Sequence, residues 1–237
     1  MIFRRKVLLA AAVLCGLIVC LVGPAAATTW DAAADFSPTD NPTGQWTYGY
    51  SYPNIDSTLT PYTIHFTDPS GLEFWNTGRT DLVPGVFKNP TAAPITLSTL
   101  TVPPEGLAFH PGVNGEYSHV VWTAPTDGTY AINATFTGLD TGPTTTDVHI
   151  LVGGISQFDG YVNLNGYGNQ ISDSFSFFIF VGKTVDFAVG YGNGVYYNDS
   201  TGLGATVSSI PLPPTALLLG SGLLGLGLLR RKWSLKK

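Results

Sequence analysis

Apolar and polar residues alternate with a period of two through most of the chain. Trp46, Tyr48, Tyr50 and Tyr52 occupy every second position, as do Tyr62, Ile64 and Phe66. The same spacing runs through Tyr130, Ile132, Ala134 and Phe136, through Val148, Ile150 and Val152, and through Phe175, Phe177 and Ile179. It recurs at Val185, Phe187, Val189 and Tyr191. Successive side chains of an extended backbone point to opposite faces, so these runs predict strands with one buried face. Tyr191 continues a core-facing series and is expected to be buried. Turn residues separate the runs at Pro53-Asn54, Asp68-Pro69-Ser70-Gly71, Asp127-Gly128, Gly153-Gly154 and Gly182-Lys183. About nine to eleven strands and no helix are expected between residues 28 and 209. One-faced strands of this kind pair antiparallel and pack two sheets deep. The predicted fold is therefore all-β, a single antiparallel β-sandwich of jelly-roll-like form.

The two ends break this pattern. Arg4, Arg5 and Lys6 precede an uncharged apolar run over residues 7–22, and Ala25-Ala26-Ala27 follows. A basic start, a short apolar segment and small residues at Ala25 and Ala27 read as a secretory signal, cut by signal peptidase after Ala27. Cys15 and Cys20, the two cysteines, both lie inside it. Neither follows a small residue, since Leu14 and Val19 precede them, so the pattern of a lipoprotein signal is missing. The processed chain then has no thiol and no disulfide. At the other end, Ile210-Pro211-Leu212-Pro213 leads into an apolar stretch over residues 216–229 and a basic cluster, Arg230-Arg231-Lys232. Fourteen helical residues measure about 21 Å, less than the roughly 30 Å hydrocarbon core of a bilayer. Ile210 to Thr215 would lengthen the span, and the basic cluster would stay on the cytoplasmic side. The chain divides into residues 1–27, a signal peptide, 28–209, a β-sandwich, and 210–237, a membrane-inserting tail.

Charge sharpens the division. Eight of eleven cationic residues lie in the two ends, while all sixteen acids lie between them. Arg79, Lys88 and Lys183 are the body's only cations, which leaves it at −13. A body this acidic repels phosphate backbones, and nucleic-acid binding is excluded as its function.

The tail resembles a PEP-CTERM sorting signal of the Val-Pro-Leu-Pro variant. Ile210 replaces the Val, Pro211, Leu212 and Pro213 keep the motif, and Leu-Leu-Gly-Ser-Gly-Leu-Leu-Gly before Arg-Arg-Lys matches its apolar and basic parts. The resemblance implies an exosortase-type transpeptidase as partner, recognising the Pro motif and cutting near it. It also implies transient anchorage in the inner membrane, then release or attachment at the bacterial cell surface. The opening of the body, from Asp35-Phe36-Ser37 to Trp46-Tyr48-Gly49-Tyr50, resembles other proteins of that class. Residues 107–207 are similar in style to secreted bacterial jelly rolls and carbohydrate-binding modules. That segment includes Phe109-His110-Pro111-Gly112, Val121-Trp122-Thr123-Ala124-Pro125 and Asn198-Asp199-Ser200-Thr201-Gly202. The implied function is a non-catalytic carbohydrate-binding or matrix module associated with exopolysaccharide. A secreted polysaccharide hydrolase and a purely structural, self-associating matrix protein are the two alternatives.

Candidate chemistry is sparse. The chain has no Gly-x-Ser-x-Gly, no His-Glu-x-x-His and no phosphate-binding loop. His65, His110, His119 and His149 fit no zinc spacing and are expected as hydrogen-bonded sandwich histidines. Glu73, Glu105 and Glu116 are the body's glutamates, and glycosidic hydrolysis needs two carboxylates about 5–9.5 Å apart. Asp199, with Asp31 or Asp35 from the opposite chain end, forms a candidate structural Ca²⁺ set of carboxylates. The alternative for Asn198 to Gly202 is plain turn chemistry. Tyr161, Tyr167, Tyr196 and Tyr197 are candidate sugar-binding platforms, because a tyrosine offers an apolar face with a polar tip.

Overall fold

A computed structural model describes residues 26–211, so the signal peptide up to Ala25 and the tail from Leu212 onward lie outside the described residues. Residues 29–209 form one compact unit. Its first half holds β1 (Thr29–Asp31), β2 (Trp46–Ser51), β3 (Thr60–Pro61), β4 (Ile64–Thr67), β5 (Glu73–Asn76), β6 (Gly85–Lys88), β7 (Ile95–Leu97) and β8 (Leu100–Val102). Its second half holds β9 (Leu107–His110), β10 (Tyr117–Thr123), β11 (Gly128–Gly138), β12 (Thr146–Val152), β13 (Ile155–Val162), β14 (Gln170–Ile179), β15 (Thr184–Gly190) and β16 (Thr201–Ile210). No helix occurs among the described residues. The strand count exceeds the sequence expectation chiefly because β1, β3, β7 and β8 are two or three residues long, and β5, β6 and β9 only four, too short to show alternation.

Two sheets carry the fold. The larger runs β14-β11-β16-β9-β6-β5-β4, with β1 added beside β16. The smaller runs β13-β12-β15-β10-β2-β3. A separate hairpin pairs β7 with β8. From β9 onward nearly every connection crosses from one sheet to the other, which wraps both sheets around a common core. The crossings are what the alternation requires: each strand has one apolar face, and facing sheets cover both. Trp46, Tyr48, Trp122, Tyr130, Ile132, Phe136, Val148, Ile150, Phe187 and Val189 are all buried in that core. Trp122 meets Tyr130 edge-on at 4.8 Å between ring centroids, tying the two sheets together.

Two alternating runs overshoot their strands. β2 ends at Ser51, so Tyr52 leaves the sheet and is 57% exposed. β15 ends at Gly190, so Tyr191 turns away from the core series and is half-buried, against the expectation of burial. Both tyrosines emerge at the same end of the sandwich.

Candidate functional site

Long loops gather at that end. They follow β2, β9, β11, β13 and β15, and three of them bound a cleft of about 420 Å³. Tyr52 and Pro53 come from the first, Asn114 and Gly115 from the second, and Tyr191, Gly192 and Gly194 from the last. Tyr117, which opens β10, and Asp147 on β12 form the wall on the sheet side. Three aromatic faces, a carboxylate and an amide therefore converge on one opening.

Glycine makes the convergence fit. A methyl group on Gly190 would strike both the Tyr117 ring and the Asp147 carboxylate, and one on Gly115 would strike the Tyr191 ring. Asp147 is held from two sides. Its Oδ1 accepts the Gly192 N–H at 2.6 Å and its Oδ2 lies 2.9 Å from His149 Nε2. His149 Nδ1 in turn lies 2.5 Å from Asp159 Oδ1. Burial alone would discharge His149, but the two flanking carboxylates outweigh it and hold its pKa above the ordinary histidine range. Burial, and then the neighbouring Asp147 charge, push the Tyr117 hydroxyl up to about 12, so it stays a protonated donor at every physiological pH. The cleft thus presents the remaining lone pairs of Asp147, to which the Tyr117 hydroxyl is bonded, the second amide hydrogen of Asn114 and the exposed ring of Tyr52.

The tyrosines singled out in the sequence fall in three places. Tyr161 on β13 is exposed, and its register partner is Asp147, so it flanks the cleft on the same outer sheet face. Tyr196 and Tyr197 lie in the β15–β16 loop with ring centroids 4.4 Å apart, and Tyr197 is exposed. Tyr167 is exposed in the separate β13–β14 loop. None of the four lines the cleft itself. Tyr52, Tyr117 and Tyr191 do, and the signal for them was available in part: each stands where an alternating run meets Gly, Pro or Asn.

The three-carboxylate cation set is not assembled. Asp31 pairs with Thr206, whereas Asp199 precedes the start of β16 at Thr201. At about 3.3 Å per residue this puts them more than roughly 15 Å apart. Asp31 instead accepts the N–H groups of Ala33 and Ala34, and Asp35 accepts those of Asp31 and the Trp46 indole. Asp199 is fully buried and accepts the Thr146 hydroxyl at 2.7 Å. Burial pushes its pKa up to about 7. Among the described residues no group of three or more His, Cys, Asp or Glu side chains is placed to hold a metal ion.

One constellation was invisible in the sequence. His119 Nδ1 lies 3.0 Å from both oxygens of Asp186, and His119 Nε2 lies 2.8 Å from Ser51 Oγ. The three residues come from β15, β10 and β2, far apart in sequence and adjacent in the sheet. The order Ser, His, Asp is that of a hydrolytic triad. Ser51 and His119, however, are each 1% exposed, and Ser51 Oγ is also 2.8 Å from the Asn54 carbonyl, within reach to donate to it. A nucleophile needs access to substrate. Here the group ties the loop that carries Tyr52 to the sheet. The glutamates are scattered: Glu73 on β5 pairs with His65, Glu105 lies beyond β8 near Lys88, and Glu116 bonds Asn114.

No protein-family model matches the chain, and no curated protein matches it. Several solved structures are similar. One is a CBM51 from Clostridium perfringens GH95 in complex with methyl-galactose, at 16% identity and a TM-score of 0.34, covering 52% of this chain and 86% of that one. A family 35 carbohydrate binding module from Clostridium thermocellum matches at 10% identity and 0.30, over 78% and 98% of the two chains. The K1 cleaved adhesin domain of Lys-gingipain from Porphyromonas gingivalis W83 matches at 7% identity and 0.42, over 78% and 98%. A two-domain fragment of Clostridium perfringens ZmpB is matched over only 28% of its length. Likenesses this distant carry no argument about what this chain binds.

Proposed function

We propose that the β-sandwich is a non-catalytic carbohydrate-binding module of an exported, exosortase-processed cell-surface protein, and that the Tyr52 cleft holds the sugar. The observation that carries this reading is the convergence of Tyr52, Tyr117 and Tyr191 with Asp147 and Asn114 in one open cleft. A sugar ring has apolar faces and a polar rim. An exposed tyrosine covers a face, while a fixed carboxylate and amide take the rim hydroxyls. Glycines remove side-chain bulk from the floor, and the tethered loop keeps Tyr52 in place without ordering cost on binding. The −13 body disfavours acidic polymers, so the ligand is a neutral polysaccharide, such as an exopolysaccharide of the producing cell. The leader and the Pro211-Leu212-Pro213 tail account for delivery: secretion, temporary anchorage, then sorting.

Affinity electrophoresis across a panel of neutral and acidic polysaccharides, run beside assays for reducing ends and released acetate, tests the reading. Retardation by neutral polymers without product supports it, and product formation overturns it. The Ser-His-Asp order of Ser51, His119 and Asp186 makes hydrolysis the second reading, which requires an opening that exposes the buried Ser51; labelling of Ser51 by a fluorophosphonate would support that one instead. Mass spectrometry of extracellular material tests the sorting part. An N-terminus at Thr28 and no peptide containing Trp233 are expected, whereas an intact C-terminus overturns processing.

A further inference from the structure

The strands that end the two sheets are protected unequally. β1 and β4 are three and four residues long, and β4 is crossed by the His65–Glu73 pair at 2.8 Å. β3 is two residues long, and one of them is Pro61, which has no N–H to offer. β13 is bulged opposite Ile150 and Leu151 and carries Asp159. Short length, proline, bulges and charge are the devices that keep a sheet edge from pairing with another chain. β14 has none of the first three. Its ten residues pair with β11 in unbroken register from Gln170 to Ile179, and its other side has no strand partner among the described residues. Ser172, Ser174 and Ser176 are exposed along it. Phe178 and, just beyond, Phe180 are 57% and 59% exposed. Asp173 is its one charged residue.

We propose that β14 is a self-pairing edge, through which two copies of this chain join antiparallel and merge their larger sheets into one. Charge restricts how a second copy can approach, and this arrangement meets the restriction. Each body carries −13, so most approaches of two copies are repulsive, and β14, at ten residues the longest edge, carries a single carboxylate, Asp173. A two-fold axis through Phe175 sets Ser174 opposite Ser176 of the second copy, Ser172 opposite Phe178, and Asp173 opposite Phe177. No carboxylate then faces another. The surface is the same on both partners, as a closed two-fold interface requires. The unsatisfied row of N–H and C=O groups is paired on both strands at once. The interface lies on the larger sheet and does not depend on the sugar cleft, which is built on the smaller one.

The test uses the full-length chain, held in one detergent, with sedimentation velocity over a concentration series. The wild type is expected to dimerise reversibly. Ser174→Lys with Ser176→Lys sets like charges directly opposite in both symmetry-related pairs, and is expected to weaken the dimer at least about tenfold. Ser174→Lys with Ser176→Glu sets opposite charges there and is expected to restore it. Equal melting temperatures for all three at a concentration where each is monomeric confirm that folding is unaffected. Without any variant, amide exchange within residues 170–179 should slow as concentration rises. A wild type that stays monomeric overturns the proposal. So does a dimer indifferent to the double lysine change, which would place the contact elsewhere, or a failure of the Lys/Glu pair to rescue. The readout is mass, so a failure here leaves polysaccharide retention, and the reading based on it, untouched.

Discussion

The two ends of the sandwich are built from the same strands and differ in almost everything else. At one end β10–β11, β12–β13 and β14–β15 are joined by tight turns, the shortest being Gly153-Gly154. At the other, the connections after β2, β9, β11, β13 and β15 are longer and carry the cleft tyrosines. Tyr117, His149 and Asp199, three of the groups with perturbed protonation, lie at or near the loop end. The turn end uses its polar groups to close turns, as Asp127 does by accepting the Val181 N–H at 2.7 Å. Tight turns satisfy their own backbone, whereas long loops need side chains and buried polar groups to hold them. Those same side chains give a surface its chemistry.

Glycine substitutions should separate the ends most strongly. Gly192 and Gly153 both have positive φ, at 46° and 59°. An added methyl at Gly192 runs into the Thr145 carbonyl, while one at Gly153 meets nothing within 4 Å. Gly192→Ala should therefore cost about 2–4 kcal/mol and Gly153→Ala only about 1 kcal/mol, read from urea denaturation midpoints. Equal costs would mean that the β15–β16 loop is not packed as described.

Binding comes next in size. Tyr52→Ala should weaken polysaccharide retention about tenfold, equivalent to about 1.4 kcal/mol, and leave stability unchanged because the ring is exposed. Phe180→Ala, an equally exposed aromatic at the turn end, should leave retention alone. Matching losses would show a generally sticky surface rather than a site.

The pH response should be smaller and one-directional. Asp199 has a folded pKa of about 7, above its ordinary value, so the folded state holds the proton more tightly than the unfolded one. Its stabilising contribution is complete below about pH 4 and is lost as pH rises to about 7. His149, also raised, adds in the same direction, with its contribution lost as pH climbs above the ordinary histidine range. Tm should fall from mildly acidic to neutral pH, and Asp199→Asn should flatten the fall and raise Tm at neutral pH. A calcium site at Asp199 predicts the reverse, a loss of stability in the Asn variant. Smallest of all, Ser51→Ala should loosen the Tyr52 loop and weaken retention about threefold.

The strands were largely legible in the sequence because alternation tracks burial, and Tyr130 to Phe136 behave as that pattern requires, whereas Ile64 on β4 and Phe177 on β14, both expected on a buried face, are exposed. Alternation says nothing once a strand has stopped. Tyr52 and Tyr191 continue their series in sequence yet leave the sheet by one residue each, and that single step moves them from core to cleft. The Ser51–His119–Asp186 contact and the Asp147–His149–Asp159 clamp depend on which strands are neighbours, and sequence spacing does not contain strand order. The same gap explains the calcium expectation. The chain ends do meet, at β1 and β16, but in a register that separates Asp31 from Asp199.

The central claim is that one end of this sandwich is a binding end and the other is not. Hydrogen–deuterium exchange of the chain, with and without a neutral polysaccharide that retains it, compares the two in one experiment. Protection is expected at residues 52–53, 114–117 and 191–194, with none at 153–155 or 180–183. Protection at the turn end, or confined to the outer face of β11 and β14, would contradict the account.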